Sequence, residues 1–327
     1  FTLSIGMGSV HCYASYLREK DDIALTGATT AWTNEFCEVI LGGTILIPLA
    51  VAYLGLEAVQ QRVSGGGFGL GFMVFPTLFS KWGWFAPVAG FMWFGLLFFA
   101  AITSSLAMGQ PIMSFLQEEF GFQRKESAMA LGVMVLSLAV PVAIFHQSTF
   151  FGEFDYWAGT NALVVFAVIE TILFAWVFGM KQGWDELNKG AEFRIPGVFY
   201  YVIKYVTPAF LLILLTANLF QPRGSVETGR DANGQPVFRD RGWEPYLTAP
   251  MTGKPLPEWE WSGEGIIGKL LHRDLEPPKD APKADQDFLQ QIRFVRDVDR
   301  LAMIGVFLGL GVLVNVAWRK RAREGRL

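Results

Sequence analysis

FTLSIGMGSVHCYASYL, running from Phe1 to Leu17, is apolar enough to enter a membrane yet is interrupted by glycines and hydroxyls. Gly6 and Gly8 lower helix propensity in the same turns where Thr2 and Ser4 bring hydroxyl groups. Unpaired backbone amides are costly in hydrocarbon, so non-helical chain at membrane depth is confined to places where protein surrounds it or a cavity lies beside it. The stretch therefore reads as a discontinuous membrane helix whose freed carbonyls and amides face a polar path, an arrangement that holds ions and solutes in membrane carriers. A continuous membrane helix with glycines for close packing is the plainer alternative.

Composition agrees with a membrane setting. Of 327 residues, 52% are hydrophobic and only 17% charged, with a mean hydropathy of +0.33, whereas soluble domains carry roughly a quarter charged residues. The chain opens on Phe inside a membrane segment, with no basic leader and cleavage site, so the expectation is a fragment of a longer protein. Cys12 and Cys37 sit in apolar segments and resemble neither a disulfide framework nor paired metal ligands.

Runs long enough to cross a bilayer, roughly 20 residues each, fall at about Glu38 to Leu56, Phe85 to Gln110, Ser127 to Phe145, Tyr156 to Met180, Tyr200 to Phe220 and Ala302 to Trp318. With the opening half-helix, these define an all-α polytopic membrane protein. Lys and Arg gather at every second connection: Arg18 and Lys20, Arg124 and Lys125, then Lys181, Lys189, Arg194 and Lys204, and finally the tail from Arg319 to Arg326. The positive-inside rule places those connections and the C-terminus in the cytoplasm.

Two outward connections are longer than a turn. The first, about residues 57–84, carries SGGGFGLGF at Ser64 to Phe72. No strand precedes its glycines and no acidic residue follows at the spacing a dinucleotide needs, so a lid-like or re-entrant loop is expected. The second, residues 221–297, holds nine of the sixteen prolines and charges of both signs, with Trp243, Tyr246, Trp259 and Trp261 interspersed. Disordered segments lack such aromatics, which predicts a loosely structured extracytoplasmic insert. The domain reading is thus a transmembrane core at 1–220, the insert at 221–297, and a last membrane helix with a basic cytoplasmic tail at 298–327.

Ala100, Thr103, Ser104 and Met108 stand at helical offsets of three, four and eight and so share one face. A small residue exposing backbone oxygen beside two hydroxyls suits a hard monovalent cation stripped of water. The competing reading is that the hydroxyls bond to the carbonyl one turn back. Glu35, Glu38 and Glu170 lie at or within membrane spans and Asp155 at the outward end of one; ionisable groups at such depth suggest function. The histidines at 11, 146 and 272 are scattered, and no nucleophile set or metal-ligand spacing links them, so no enzymatic activity is expected.

Four ordered motifs carry a family likeness: FTLSIGMGSVHCYASY at the start, TNEFCEVILGG at Thr33 to Gly43, LLFFAAITSSLAMGQP at Leu96 to Pro111, and FDYWAGT at Phe154 to Thr160. Together they resemble the neurotransmitter:sodium symporter family, in particular its bacterial, leucine-transporter-like amino-acid carriers. The likeness covers nearly the whole chain except the insert. It implies part of an inverted-repeat transporter fold, the second half of helix 6 followed by helices 7 to 12, with the N-terminal helices missing.

The resemblance also implies site roles. Thr2 and Asn34 would contribute to one sodium site, and Ala100 through its carbonyl, with Thr103 and Ser104, to a second. Phe1, Thr2, Ser4, Met7, Ser104 and Met108 would line the substrate pocket, with Phe1 in its aromatic lid. Asp155 would be an outer-gate acid, and Tyr16 and Glu118 would stand near the inner gate. Glu38 occupies the position where chloride-dependent members carry serine, implying that a carboxylate takes the place of chloride. Met7 and Met108 are unbranched and adaptable, so the expected substrate is a small apolar amino acid.

The function implied is sodium-coupled symport of amino acids by alternating access in a bacterial inner membrane, with sodium co-transported, no organic cofactor, no nucleic-acid partner and no chloride requirement. The alternatives are a non-transporting receptor or sensor that keeps the ligand site, and an inactive gene fragment.

Overall fold

The computed structural model describes residues 7–18, 20–56, 59, 69–145, 150–230, 236–240, 242–253, 255–275 and 283–325. Phe1, Thr2 and Ser4 lie outside the described residues. Among those described, six helices are long and apolar enough to span a membrane. They are α2 (Ile23–Leu54), α3 (Leu70–Phe120), α4 (Arg124–Ile144), α5 (Phe150–Asn188), α6 (Val198–Leu219) and α9 (Lys283–Arg323, spanning from Gln286). The short α1 (Ser9–Ala14) precedes them.

Each apolar run anticipated in the sequence falls largely inside one of these helices, and most helices extend well past their run. The part of α3 from Ala86 to Phe120 has 35 residues, about 50 Å at 1.5 Å per residue, against a hydrocarbon core of about 30 Å. Polar ends such as Gln117 to Glu119 can therefore remain helical outside the lipid. Large apolar side chains, among them Phe91, Leu96, Phe98, Phe99 and Trp176, are exposed along the spans, as lipid-facing surfaces require.

The chain forms two compact units, Phe1–Glu118 with Lys181–Gly197, and Glu119–Met180 with Val198–Leu327. In the first, α3 breaks at Trp82 and Gly83; Gly83 has φ 57° and ψ −125°, a conformation open to glycine and unfavourable for residues with a Cβ. The break lets residues 70–79 fold back on the helix that follows. Trp93 stacks obliquely on Phe75, centroids 4.5 Å apart, and its indole N–H donates to the Gly71 carbonyl at 3.0 Å. Val74, Phe75 and Leu78 are buried, and Val74 joins Ala50 and Val59 in an apolar core. The later part of the connection expected to be lid-like is thus a helical hairpin arm.

Two loops of the same unit are tied by Asp22, which caps α2 by accepting from the Leu25 amide at 2.8 Å and also accepts from the Glu192 amide at 2.8 Å. Those backbone donors hold its carboxyl below the usual carboxylate value.

In the second unit, α5 and α6 pack together, and Asn218 donates to Asn161 at 2.7 Å. The insert is more ordered than its composition suggests. It contains an antiparallel hairpin, β1 (Ser225–Arg230) with β2 (Pro236–Asp240), paired from Ser225 opposite Asp240, and the short helices α7 (Glu244–Thr252) and α8 (Ile266–Leu270). Trp243, Tyr246, Trp259 and Trp261 form a chain of edge-to-face contacts with centroids 5.7 to 6.4 Å apart. The Trp243 N–H donates to the Ala217 carbonyl at the end of α6, so the aromatics that argued against disorder fasten the insert to a span.

Candidate functional site

On α3, Ala100, Thr103 and Ser104 lie on an exposed face and Met108 is half-buried one turn on. Thr103 Oγ1 donates to the Phe99 carbonyl at 2.8 Å and lies 3.1 Å from the Ala100 carbonyl. Ser105 bonds back to Ala101 in the same way. The Thr103 and Ser105 hydroxyls therefore do bond one turn back, as the plainer reading held. That geometry is compatible with ion binding, because oxygens sharing a hard cation at roughly 2.3–2.6 Å sit about 3–4 Å from one another.

Pro111, one turn beyond Met108, approaches the start of the described chain. A Cβ on Gly8 would lie 3.5 Å from the Pro111 ring, and Gly8 has φ 76°. The turn that carries Met7 therefore meets the same helix as Met108 through a position suited to glycine. Asn34 is half-buried near the end of the first α-helical part of α2. From Phe36 to Leu46 the helix is wound more widely, with i to i+5 bonds, a geometry that recurs at functional sites. Glu38 lies in this wide segment and is exposed. Among the described residues no group of three or more His, Cys, Asp and Glu could hold a metal ion; the oxygens proposed on α3 are neutral.

Asp155 is exposed at the start of α5, its carboxylate folded over Gly159, where a Cβ would come within 2.9 Å of Asp155 Oδ1. The carboxylate two residues earlier is the buried one. Glu153 is 2% exposed and takes Arg296 at 2.8 Å, Arg300 at 2.9 Å and the Trp157 indole N–H at 2.9 Å. Arg296 also makes a two-pronged contact with Asp274, both distances 2.7 Å, and Lys269 reaches the same carboxylate at 2.8 Å. Arg300 further donates to the Lys269 carbonyl.

This network joins the start of α5, the α8 region of the insert and the fourth and fifth turns of α9. Burial raises the Asp274 pKa, but hydrogen bonds from Arg296 and Lys269 outweigh it and leave the carboxyl below its ordinary value. Burial and the Arg300 charge push the nearby His272 down. Asp299 is fully buried on the same stretch of α9, and neither carboxylate oxygen has a hydrogen-bond partner.

Glu118 and Tyr16 are exposed, while Glu119, next in the chain to Glu118, is 7% exposed and accepts from Arg321 through both oxygens. Lys320 Nζ donates to the Glu119 carbonyl at 2.7 Å. Sequence reasoning chose Glu118 and Asp155 and passed over Glu119 and Glu153. The available signal was complementary charge far along the chain: Arg296 and Arg300, one helical turn apart, and Arg321 in the basic tail.

Comparison with known proteins follows the same residues. The sodium:neurotransmitter symporter family model matches residues 1–228. The chain is 26% identical over 230 residues to an uncharacterized sodium-dependent transporter of Methanocaldococcus jannaschii, covering 70% of this chain and 46% of that protein. It is 26% identical over 229 residues to an uncharacterized sodium-dependent transporter of Haemophilus influenzae, covering 67% and 48%. Against the sodium-dependent nutrient amino acid transporter 1 of Drosophila ananassae it is 22% identical over 223 residues, covering 67% and 34%. The chain thus spans about half the length of the first two relatives and about a third of the last. The matched region contains α1 to α6, with the hydroxyl face of α3 and the widened turn of α2, and the chain belongs to the sodium:neurotransmitter symporter family.

Proposed function

We propose that the complete protein is a sodium-coupled symporter of small apolar amino acids that works by alternating access and does not require chloride. The observation that carries this reading is the Ala100 carbonyl with Thr103 Oγ1 3.1 Å away and Ser104 on the same exposed helix face, in a chain of this family. Neutral oxygens at this spacing match the demands of a dehydrated sodium ion, and the ion in turn offsets the charge of a substrate carboxylate leaving water.

In this reading Ala100, Thr103 and Ser104 supply part of one sodium site, and Thr2 and Asn34 part of another. Phe1, Thr2, Ser4, Met7, Ser104 and Met108 shape the substrate pocket. Asp155 serves the outer gate, Tyr16 and Glu118 the inner gate, and Glu38 supplies the negative charge that chloride provides elsewhere. The C-terminus faces the cytoplasm and the insert faces outward, so the Glu153 network braces the outer side and Glu119 with Arg321 the inner side.

The test is uptake of labelled leucine by the full-length protein in proteoliposomes under an inward sodium gradient. Uptake should require sodium, persist when gluconate replaces chloride, and need about tenfold more sodium in Thr103→Ala. Leucine binding without sodium-driven accumulation would overturn symport in favour of a receptor.

A further inference from the structure

Between α5 and α6 lies a groove of about 390 Å³ lined by Ile172, Trp176, Lys204, Tyr205, Ala209 and Leu212. Apart from the Lys204 ammonium, these walls are aliphatic or aromatic. We propose that the groove binds an anionic phospholipid, with the phosphate on Lys204 and one acyl chain lying along α6.

Local structure sets up the site. Both helices are wound more widely where they meet: Leu173–Gly179 of α5 and Val202–Val206 of α6 have i to i+5 turns and touch one another, a geometry that recurs at functional sites. Pro208 stands four residues after Lys204, where an α-helix would supply the N–H for the Lys204 carbonyl, and proline has none. The Trp176 indole N–H donates to that carbonyl instead, at 3.2 Å. The indole is thereby pinned across the two helices, with Tyr205 edge-on to it at a centroid separation of 5.8 Å.

The ammonium sits among these rings. Lys204 Nζ is 5.8 Å from the Trp176 centroid, 5.9 Å from that of Tyr200 and 5.4 Å from that of Tyr205, within the range of cation–π attraction. The rings position the charge and engage it without an acceptor oxygen, so its three N–H donors remain for a ligand. Among the described residues Lys204 Nζ has no hydrogen bond or ion pair, and no carboxylate lines the groove. A half-buried lysine on a membrane-spanning helix calls for an anion, because charge withdrawn from water is costly without one.

Shape then selects among anions. From Lys204 to Leu212 the groove follows α6 for about 12 Å at 1.5 Å per residue, close to half of a hydrocarbon core of about 30 Å. Trp176, Tyr205 and Leu212 are each exposed, so the groove continues the lipid-facing surface of the two spans. A free anion would satisfy Lys204 and leave the apolar length bare. A zwitterionic headgroup would bring a second cation with no acid in the groove to receive it. An anionic phospholipid meets both the charge and the length.

The experiment is native mass spectrometry of the full-length, detergent-solubilised protein titrated with dioleoyl phosphatidylglycerol or dioleoyl phosphatidylcholine. The first phosphatidylglycerol should bind about fivefold more tightly than the first phosphatidylcholine, the scale expected of one lysine beside an anionic lipid. Lys204→Gln should abolish that preference and Lys204→Arg should keep it. Ala209→Trp, which fills the groove and spares the charge, should weaken both lipids, and it carries the test if Lys204→Gln fails to fold. Equal affinity for the two lipids in the wild type, a preference that survives in Lys204→Gln, unaltered binding in Ala209→Trp, or displacement of phosphatidylglycerol by millimolar inorganic phosphate would overturn the lipid site. None of these results bears on the sodium-dependent uptake that tests the transport reading.

Discussion

Around Glu153, buried charge is answered within the chain by Arg296 and Arg300, whereas on α3 the oxygens of Ala100, Thr103 and Ser104 stand on an exposed face. The contrast follows from the cost of the two kinds of group. An ionised carboxylate taken out of water must find an opposite charge or lose its proton. A hydroxyl or carbonyl can stay exposed, bonded to its own helix, until an ion arrives. The first region is therefore a brace whose partners are fixed in the fold, and the second is a surface whose chemistry depends on what reaches it.

Removing one member of the brace should have the largest effect. Arg296→Met strips Glu153 and Asp274 of a shared partner, and breaking a buried pair typically costs about 3–5 kcal/mol. Arg300 and Lys269 stay in place, so a loss near the lower end, about 3 kcal/mol, is expected. The checks are thermal unfolding of the detergent-solubilised protein and faster proteolytic cleavage within residues 221–297. A midpoint unchanged from wild type would mean that the network is not a brace.

Acidification should loosen the same region gradually. Asp274 has its pKa lowered from 3.8 and His272 from 6.5, so in both cases the unfolded chain binds the proton more readily. Stability then rises with pH. The His272 contribution begins to fall away as pH drops below about 6.5, and that of Asp274 as pH drops through the carboxylate range below 3.8. Cleavage of the insert measured from pH 8 down to pH 4 should accelerate on the acid side, and less so in His272→Gln.

Local packing gives a more modest effect. Gly268→Ala places a methyl on the Ser262 carbonyl, and forced overpacking costs about 1–3 kcal/mol; the insert should become more protease-sensitive while α2 and α3 keep their protection in hydrogen exchange. Asp22→Ala removes both the cap of α2 and the anchor of the Glu192 loop. Loss of such a cap costs about 1 kcal/mol, and hydrogen exchange should rise at the start of α2 and around residue 192 alone.

How much the sequence revealed also divides along these lines. The spans were legible because lipid demands long apolar runs, and the hydroxyl face because α-helical periodicity puts Ala100, Thr103 and Ser104 together regardless of tertiary structure. The helix ends were not, since α3 and α9 continue into water, where composition no longer marks them. Glu153 and Glu119 were missed for a different reason. Their partners lie 143 or more residues away, at Arg296, Arg300 and Arg321, and only folding reveals which of two adjacent acids turns inward. The insert looked loose because prolines and charges dominate its composition, whereas its order comes from a few indoles and from glycines that permit close backbone contact.

The smallest change in stability is expected from Thr103→Val, and it separates the two regions most cleanly. Valine keeps the shape of threonine and deletes one oxygen from a face already exposed. The bond lost is intrahelical, so unfolding should shift by less than about 0.5 kcal/mol, the usual range for surface positions. Sodium dependence should move in the other direction: with one of the few oxygens gone, half-saturation of uptake should need about tenfold more sodium, and Thr103→Ser should restore most of it. A large fall in stability with unchanged sodium dependence would make this face structural and erase the distinction from the Glu153 brace. Nearly unchanged unfolding with a displaced sodium titration would show that the chain stores its rigidity in charges and keeps its neutral oxygens for the ion.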